Sequence, residues 1–293
     1  MSLTSFLQNR DVKQRFDQEF VMPKMAVKRE ILAPPLSNRY SLVGTAFDYL
    51  MRFYLKWLNP SAVTSTWIAE LVLRTPLPPL FQDVVINGSS GNITYFKETE
   101  LSKKAQWIVK QAKTEYANYL SSGQVTDHLI VSALRLAQLD PIFRAGVVDE
   151  NLGNVYQEDI EDLRRLISLV DPRLFKARRF CLLNPTFGEA SRLVGGADAD
   201  LVIDETIIDI KTIKNLKIQR EHFNQLIGYF VLHEIAGIDN LIPKPEITRV
   251  GIYFSRFGYL YTIDLSDVIH PDTFPSFVEW FITRAKQQYA KNS

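Results

Sequence analysis

Residues 195–212 read GGADADLVIDETIIDIKT. Two apolar runs flank Asp204-Glu205, and a tip at those two residues, or a four-residue loop over 203–206, sets Ile203 opposite Thr206 and Asp200 opposite Asp209. Alternate residues of a strand share a face. Asp198, Asp200, Val202, Ile207, Asp209 and Lys211 are therefore expected on one side, and Leu201, Ile203, Ile208 and Ile210 on the other, the side that packs the core. Directly opposed carboxylates have β-carbons roughly 4.5–5.5 Å apart and destabilise a sheet by up to about 1 kcal/mol. A hard divalent cation offsets that repulsion, because Mg2+ is commonly held by one or two carboxylates together with waters and substrate phosphate oxygens. Lys211 shares the face, where an ammonium can orient or help deprotonate a metal-bound water and stabilise charge on a phosphate. Read without a metal, the same face is an exposed ladder whose Asp and Lys pair across strands for roughly a few tenths of a kcal/mol.

Further short β-rich segments, bounded by turn residues, are expected at 179–183, 192–203, 206–212, 249–255 and 259–265. A helix over 219–236 separates the third from the fourth, and a helix over 274–290 closes the chain. On the first of these helices Gln225 and Tyr229 are one turn apart on one face, approached by a segment carrying Lys214, Lys217 and Arg220. An amide and a phenol hydrogen-bond phosphate or sugar oxygens without adding charge. The alternative for the tyrosine is packing at a helix-sheet boundary, and for the cations a solvated face.

Upstream, the pattern is helical. Apolar residues at steps of three and four predict a helix over 41–58 that stops at Asn59-Pro60, and a second over 61–73 that stops at the proline cluster 76–79. Further helices are expected at 100–120, 125–138 and 156–169, while 1–38 reads as an irregular arm with at most one short helix. The expected organisation is a mainly helical region 1–170 packed on an α/β core at 171–293.

Of the 293 residues, 46% are hydrophobic and 23% charged, enough apolar material for a sizeable core and against disorder or fibre. The lone Cys181 excludes an internal disulfide, a multi-cysteine zinc site and a four-thiolate iron–sulfur cluster. His128, His222, His233 and His270 lack paired zinc-ligand spacing, and neither a GxSxG elbow nor a GxxxxGK[ST] phosphate loop is present. No apolar run reaches the roughly 18–20 residues that span a bilayer, and the amino terminus turns polar too soon for a signal-peptide core, so a cytoplasmic protein without a membrane is expected. With a net charge of +1, attraction to phosphate has to come from a local patch.

Asp200, then Asp209-Ile210-Lys211, then Gln225-xxx-Tyr229 resembles the PD-(D/E)XK nuclease superfamily, specifically its RecB-like branch with the QxxxY motif. The resemblance covers residues 175–265. It implies a restriction-endonuclease-like core, a mixed central sheet flanked by helices, with the order helix, three strands, helix, strand. It implies Mg2+- or Mn2+-dependent hydrolysis of DNA phosphodiesters. Asp200, Asp209 and the Ile210 carbonyl would hold the metal, Lys211 would assist the attacking water, and Gln225 and Tyr229 would steady the strand. In that branch an upstream helix often carries a glycine followed four residues later by a histidine ligand. Here Gly44-Thr45-Ala46-Phe47-Asp48 resembles that element with Asp in place of His, and Asp48 is a candidate ligand of Mg2+ or Mn2+. Glu189 is the rival third carboxylate. Without a phosphate loop the chain is not itself a helicase fusion, which leaves a helicase or other DNA-processing partner in trans. The alternative is a catalytically inactive module of the same fold that binds nucleic acid or a protein partner.

Overall fold

In the computed structural model, which describes residues 2–74, 84–87, 93–96, 98–239 and 241–289, the hairpin has the register that its apolar pattern requires. Strand β5 (Leu201–Ile203) pairs antiparallel with β6 (Thr206–Lys211), Ile203 lying opposite Thr206 and Leu201 opposite Ile208. Asp204, at φ 49°, makes the turn. It also holds the segment that leads into the neighbouring strand, since its carboxylate accepts the backbone N–H groups of Arg178, Arg179 and Phe180.

Around this hairpin lie β1 (Val63–Thr64), β4 (Cys181–Leu183), β7 (Arg249–Phe254) and β8 (Tyr259–Asp264), giving an open six-stranded sheet in the order β1-β4-β5-β6-β7-β8. The sheet is mixed: β1 with β4 and β6 with β7 run parallel, the other neighbours antiparallel. A separate antiparallel pair joins β2 (Val84–Asn87) to β3 (Ile93–Phe96). One layer of helices comprises α3 (Tyr40–Leu58), α4 (Ile68–Arg74), α5 (Glu98–Ser122), α6 (Asp127–Ala145) and α7 (Gln157–Ser168). The other comprises α1 (Leu3–Leu7), α2 (Arg10–Glu19), α8 (Gly188–Leu193), α9 (Arg220–Ala236) and α10 (Phe274–Tyr289). The chain is thus α/β, with a mixed sheet flanked by helices.

Both faces of the hairpin are core, which corrects the expectation of a single apolar side. Leu201, Ile203 and Ile208 pack with α3 to α7, whereas Val202 and Ile207 pack with α1, α2 and α8 to α10. A strand covered on both faces reads as a nearly continuous apolar run, as VIDETIIDI does on either side of its turn.

Three other expectations change. The amino-terminal arm holds two helices, because Phe6, Phe16 and Phe20 have partners at the far end of the chain: Phe6 meets Phe281 at 5.2 Å, Phe16 meets Phe277 at 5.1 Å and Phe20 meets Phe277 at 4.7 Å between ring centroids. The helix expected over 61–73 starts only at Ile68, since the β-branched Val63 and Thr64 are captured as β1 beside Leu182 and Leu183. Of the strand expected over 192–203 only Leu201–Ile203 is strand; 192–193 end α8, and a turn and an irregular stretch with an isolated bridge of Asp198 to Thr186 fill the rest. Ala190 and Val194 are buried, and Gly195 and Gly196 at φ 75° and 122° end the helix, Gly196 N–H bonding the Ser191 carbonyl. The other expected elements are present with ends shifted by a few residues, except 125–138, which runs on as α6 to Ala145. The proline cluster 76–79 and residue 290 lie outside the described residues.

Candidate active site

The β5–β6 register carried one pair further sets Asp200 against Asp209. Asp200 precedes β5, and its carbonyl still accepts the Asn184 N–H from the β4 side. On the other side the strands part: the Ile210 N–H, whose partner in a continued ladder would be Ala199, donates to Asp200 Oδ2 at 2.5 Å. Asp209 is in β6 and buried.

From Asp209 a polar chain crosses to α9. Lys211 Nζ lies 2.8 Å from Asp209 Oδ2 and donates to Gln225 Oε1 at 3.1 Å, and Gln225 Nε2 donates to the Tyr229 hydroxyl at 2.7 Å. The helical spacing of Gln225 and Tyr229 makes the last bond possible. Tyr229 is only 5% exposed and stacks on Phe187 at 5.6 Å. The sequence reading gave both residues a strand-binding role; here both ends of the Gln225 amide are occupied within the protein, and Tyr229 lies in the core holding Gln225.

Asp48 reaches the same place from α3. Gly44, one turn earlier, packs against the end of β6, where an added Cβ would lie 3.9 Å from the Thr212 Cβ. Asp48 Oδ2 is paired with Arg52 Nη2 at 2.5 Å, one turn on, while Asp48 Oδ1 is buried with no hydrogen-bond partner. Behind them, the Tyr49 hydroxyl donates to Asp140 Oδ1 at 2.6 Å, and Arg144 lies 4.0 Å from Asp140 and 3.7 Å from Asp198.

The electrostatics follow from this crowding. Burial pushes the Asp200 carboxyl well above its ordinary value, and the charges of Asp209 and Asp48 push it further, against Lys211 and the Ile210 N–H. Burial likewise raises Asp48, opposed by Arg52, and pushes Asp140 up to about 6 against its bond from Tyr49. Burial works against the Lys211 charge, but Asp209 and Asp200 outweigh it and hold the ammonium protonated. Lys211 is therefore suited to orienting or neutralising an anion rather than to accepting a proton. Five carboxylates, Asp48, Asp140, Asp198, Asp200 and Asp209, face three cations, Arg52, Arg144 and Lys211, a formal excess of two negative charges.

Among the described residues, no group of three or more His, Cys, Asp or Glu side chains forms a ready metal cage. What the chain offers is an opposed carboxylate pair, the buried and unbonded Asp48 Oδ1, and an Asp209 Oδ2 with no hydrogen bond beyond its ion pair. This all-oxygen donor set fits a hard divalent cation that keeps most of its waters, and does not fit zinc.

Glu189 is elsewhere. It stands exposed in the first turn of α8, paired with Arg192 at 3.0 Å. Arg220 is not open to phosphate: it is paired with Asp17 at 2.7 Å and donates to the Phe16 and Phe20 carbonyls. Lys214 Nζ sits over the Tyr40 ring, 4.2 Å from its centroid. Sequence reasoning put Asp198 on the face of the site and missed Arg52, Asp140 and Arg144 as its neighbours. The i,i+4 spacings of Asp48 with Arg52 and of Asp140 with Arg144 were visible signals of pairing, but not of place. Compared with known proteins, the chain matches no family model, no curated protein and no solved structure.

Proposed function

We propose that this protein is a Mg2+- or Mn2+-dependent nuclease of the PD-(D/E)XK, RecB-like kind, hydrolysing phosphodiester bonds of DNA. The observation that carries the reading is the arrival of Asp48, from a helix about 150 residues upstream, beside the Asp200 and Asp209 pair, where the local formal charge is two negative units. The run of three antiparallel strands β4-β5-β6, helix α9 and a strand β7 parallel to β6 supports it.

Asp200, Asp209 and the Ile210 carbonyl would hold the cation, with Asp48 as the further oxygen ligand. When bound, the ion lowers the pKa of a coordinated water and stabilises the leaving oxyanion. Lys211, kept cationic by the same carboxylates, would face the phosphate and the attacking water and neutralise developing charge. Gln225 orients the Lys211 ammonium, and Tyr229 fixes Gln225.

One observation favours a second reading, a catalytically inactive module that binds nucleic acid or a protein. Each of the three carboxylates already has a partner in Arg52, Lys211 or the Ile210 N–H. Incubation with linear, circular and single-stranded DNA in Mg2+, Mn2+ or chelator separates the two. Cleavage that stops with chelator is expected; binding without cleavage, indifferent to divalent ions, gives the second reading. A helicase or other DNA-processing partner in trans would supply strand opening that this chain, lacking a phosphate loop, does not.

A further inference from the structure

Beside Lys211 and Gln225 a cleft of about 400 Å3 opens between the amino-terminal helices and the start of α9. One wall carries Thr4, Gln8 and Lys13 from the α1–α2 region, the other His222 and Asn224. The walls are tied by two ion pairs, Lys13 with Glu221 at 3.5 Å and Arg220 with Asp17 at 2.7 Å. Its volume falls in the range of small-molecule pockets, roughly 300–1,000 Å3.

Asn224 is the feature without a structural account. It is 2% exposed, it lines the cleft, and its Oδ1 has no hydrogen-bond partner. Buried acceptors without donors are uncommon in folded proteins, and one on the wall of a cleft is open to a donor that enters it. Its neighbour Gln225 has a partner at each end, and Arg220 Nε, which also lines the cleft without a hydrogen bond, is ion-paired with Asp17, so among the described residues the buried acceptor left unpartnered there is Asn224 Oδ1.

We infer that this cleft seats one deoxynucleotide unit next to the scissile phosphate, the Asn224 carboxamide meeting the edge of its base and Lys13 meeting a phosphate. The identity of the ligand rests on the nuclease reading above. The carboxamide matches the donor–acceptor edge of a base, adenine most directly. The amino-terminal helices, which the sequence presented as an arm, thereby form part of the substrate site.

The test is equilibrium binding of dAMP to the full chain, with deoxyadenosine, deoxyribose 5-phosphate and inorganic phosphate as part-probes. dAMP is expected to bind roughly tenfold more tightly than deoxyribose 5-phosphate. Asn224→Leu should remove that advantage and leave deoxyribose 5-phosphate binding unchanged. Thr4→Trp, at an exposed position on the opposite wall, should weaken dAMP by a similar factor by filling the cleft. Thermal melts of both variants confirm that the fold is kept, and the surface position of Thr4 keeps the test open if Asn224→Leu does not fold. dAMP binding no tighter than deoxyribose 5-phosphate, or a folded Thr4→Trp protein that binds dAMP as the parent does, overturns the inference. DNA cleavage is measured on the same samples. Cleavage without dAMP binding sinks the cleft and leaves the nuclease, whereas dAMP binding that responds to both variants without any cleavage sustains the cleft and sinks the nuclease.

Discussion

The two ends of one hairpin hold the same residue type in opposite conditions. At the turn, burial works against the charge of Asp204, but three backbone N–H groups outweigh it and hold the carboxyl below its ordinary value. Four residues earlier, Asp200 is pushed well above its ordinary value by burial and by Asp209 and Asp48, with one N–H and Lys211 in opposition. Glu205, beside the turn, repeats the first pattern, paired with Arg179 at 3.1 Å and Arg249 at 2.5 Å. A carboxylate that serves the fold is surrounded by donors. A cluster left with excess negative charge costs stability until a cation arrives, which is the condition expected of a site that binds one.

The largest effect tests the charged end. Asp209→Ala and Lys211→Ala should each reduce DNA cleavage on the order of 10³-fold or more, measured on linear DNA in Mg2+. In chelator Asp209→Ala should melt slightly higher, because a repelling charge is gone, and Lys211→Ala lower, because the buried Asp209 loses its ion pair. Full activity in purified Asp209→Ala would remove the mechanism.

Asp48→Ala should raise the Mg2+ concentration needed for half-maximal cleavage by roughly tenfold to a hundredfold. An unchanged metal dependence would detach α3 from the chemistry, whatever its proximity.

The turn should respond in stability instead. Asp204→Ala strands three amides and is expected to cost about 2 kcal/mol in urea unfolding, with cleavage per folded molecule unchanged. If activity fell and stability did not, the two ends of the hairpin would have exchanged roles.

The contrast also has a pH signature. A carboxyl whose folded pKa is raised binds more protons in the folded chain, so its contribution is present at low pH and lost as pH climbs from the ordinary carboxylate value through the folded one. For Asp140 that window runs from 3.8 to about 6, and Asp200 acts in the same direction. Asp204 has the opposite sign, its contribution being lost as pH falls through its lowered value. Melting in chelator should therefore decline by a few degrees across the window, with Asp200→Asn flattening the decline and Mg2+ reversing it. A melting temperature that rises steadily through the window in chelator would contradict the assignment.

The smallest effects lie one element away. Gln225→Ala and Tyr229→Phe should raise the DNA concentration for half-maximal cleavage roughly fivefold and twofold respectively, with little change in metal dependence, since they hold Lys211 rather than the cation. Unchanged cleavage at subsaturating DNA would return both to packing.

Much of this was legible where the governing rule is local. The period of two fixes the hairpin register and so the opposition of Asp200 and Asp209, and the period of 3.6 joins Gln225 to Tyr229 and Asp48 to Arg52. Element types followed wherever apolar spacing ran long enough, and failed at 61–67 and 192–200. There, short apolar runs were decided by what lay beside them: β4 captured Val63 and Thr64, and the Gly195-Gly196 turn ended α8.

The sequence by itself determined which residues share a strand face or a helix turn, because those relations depend only on backbone geometry over a few residues. Only the tertiary structure decided that both faces of the hairpin are buried, that Asp48, Arg52, Asp140 and Arg144 gather at one end of β6, and that α1 and α2 wall a cleft beside Lys211. Those relations join residues far apart along the chain. Their encounter is set by how two separate apolar cores close on the two faces of one sheet, and no local period encodes that.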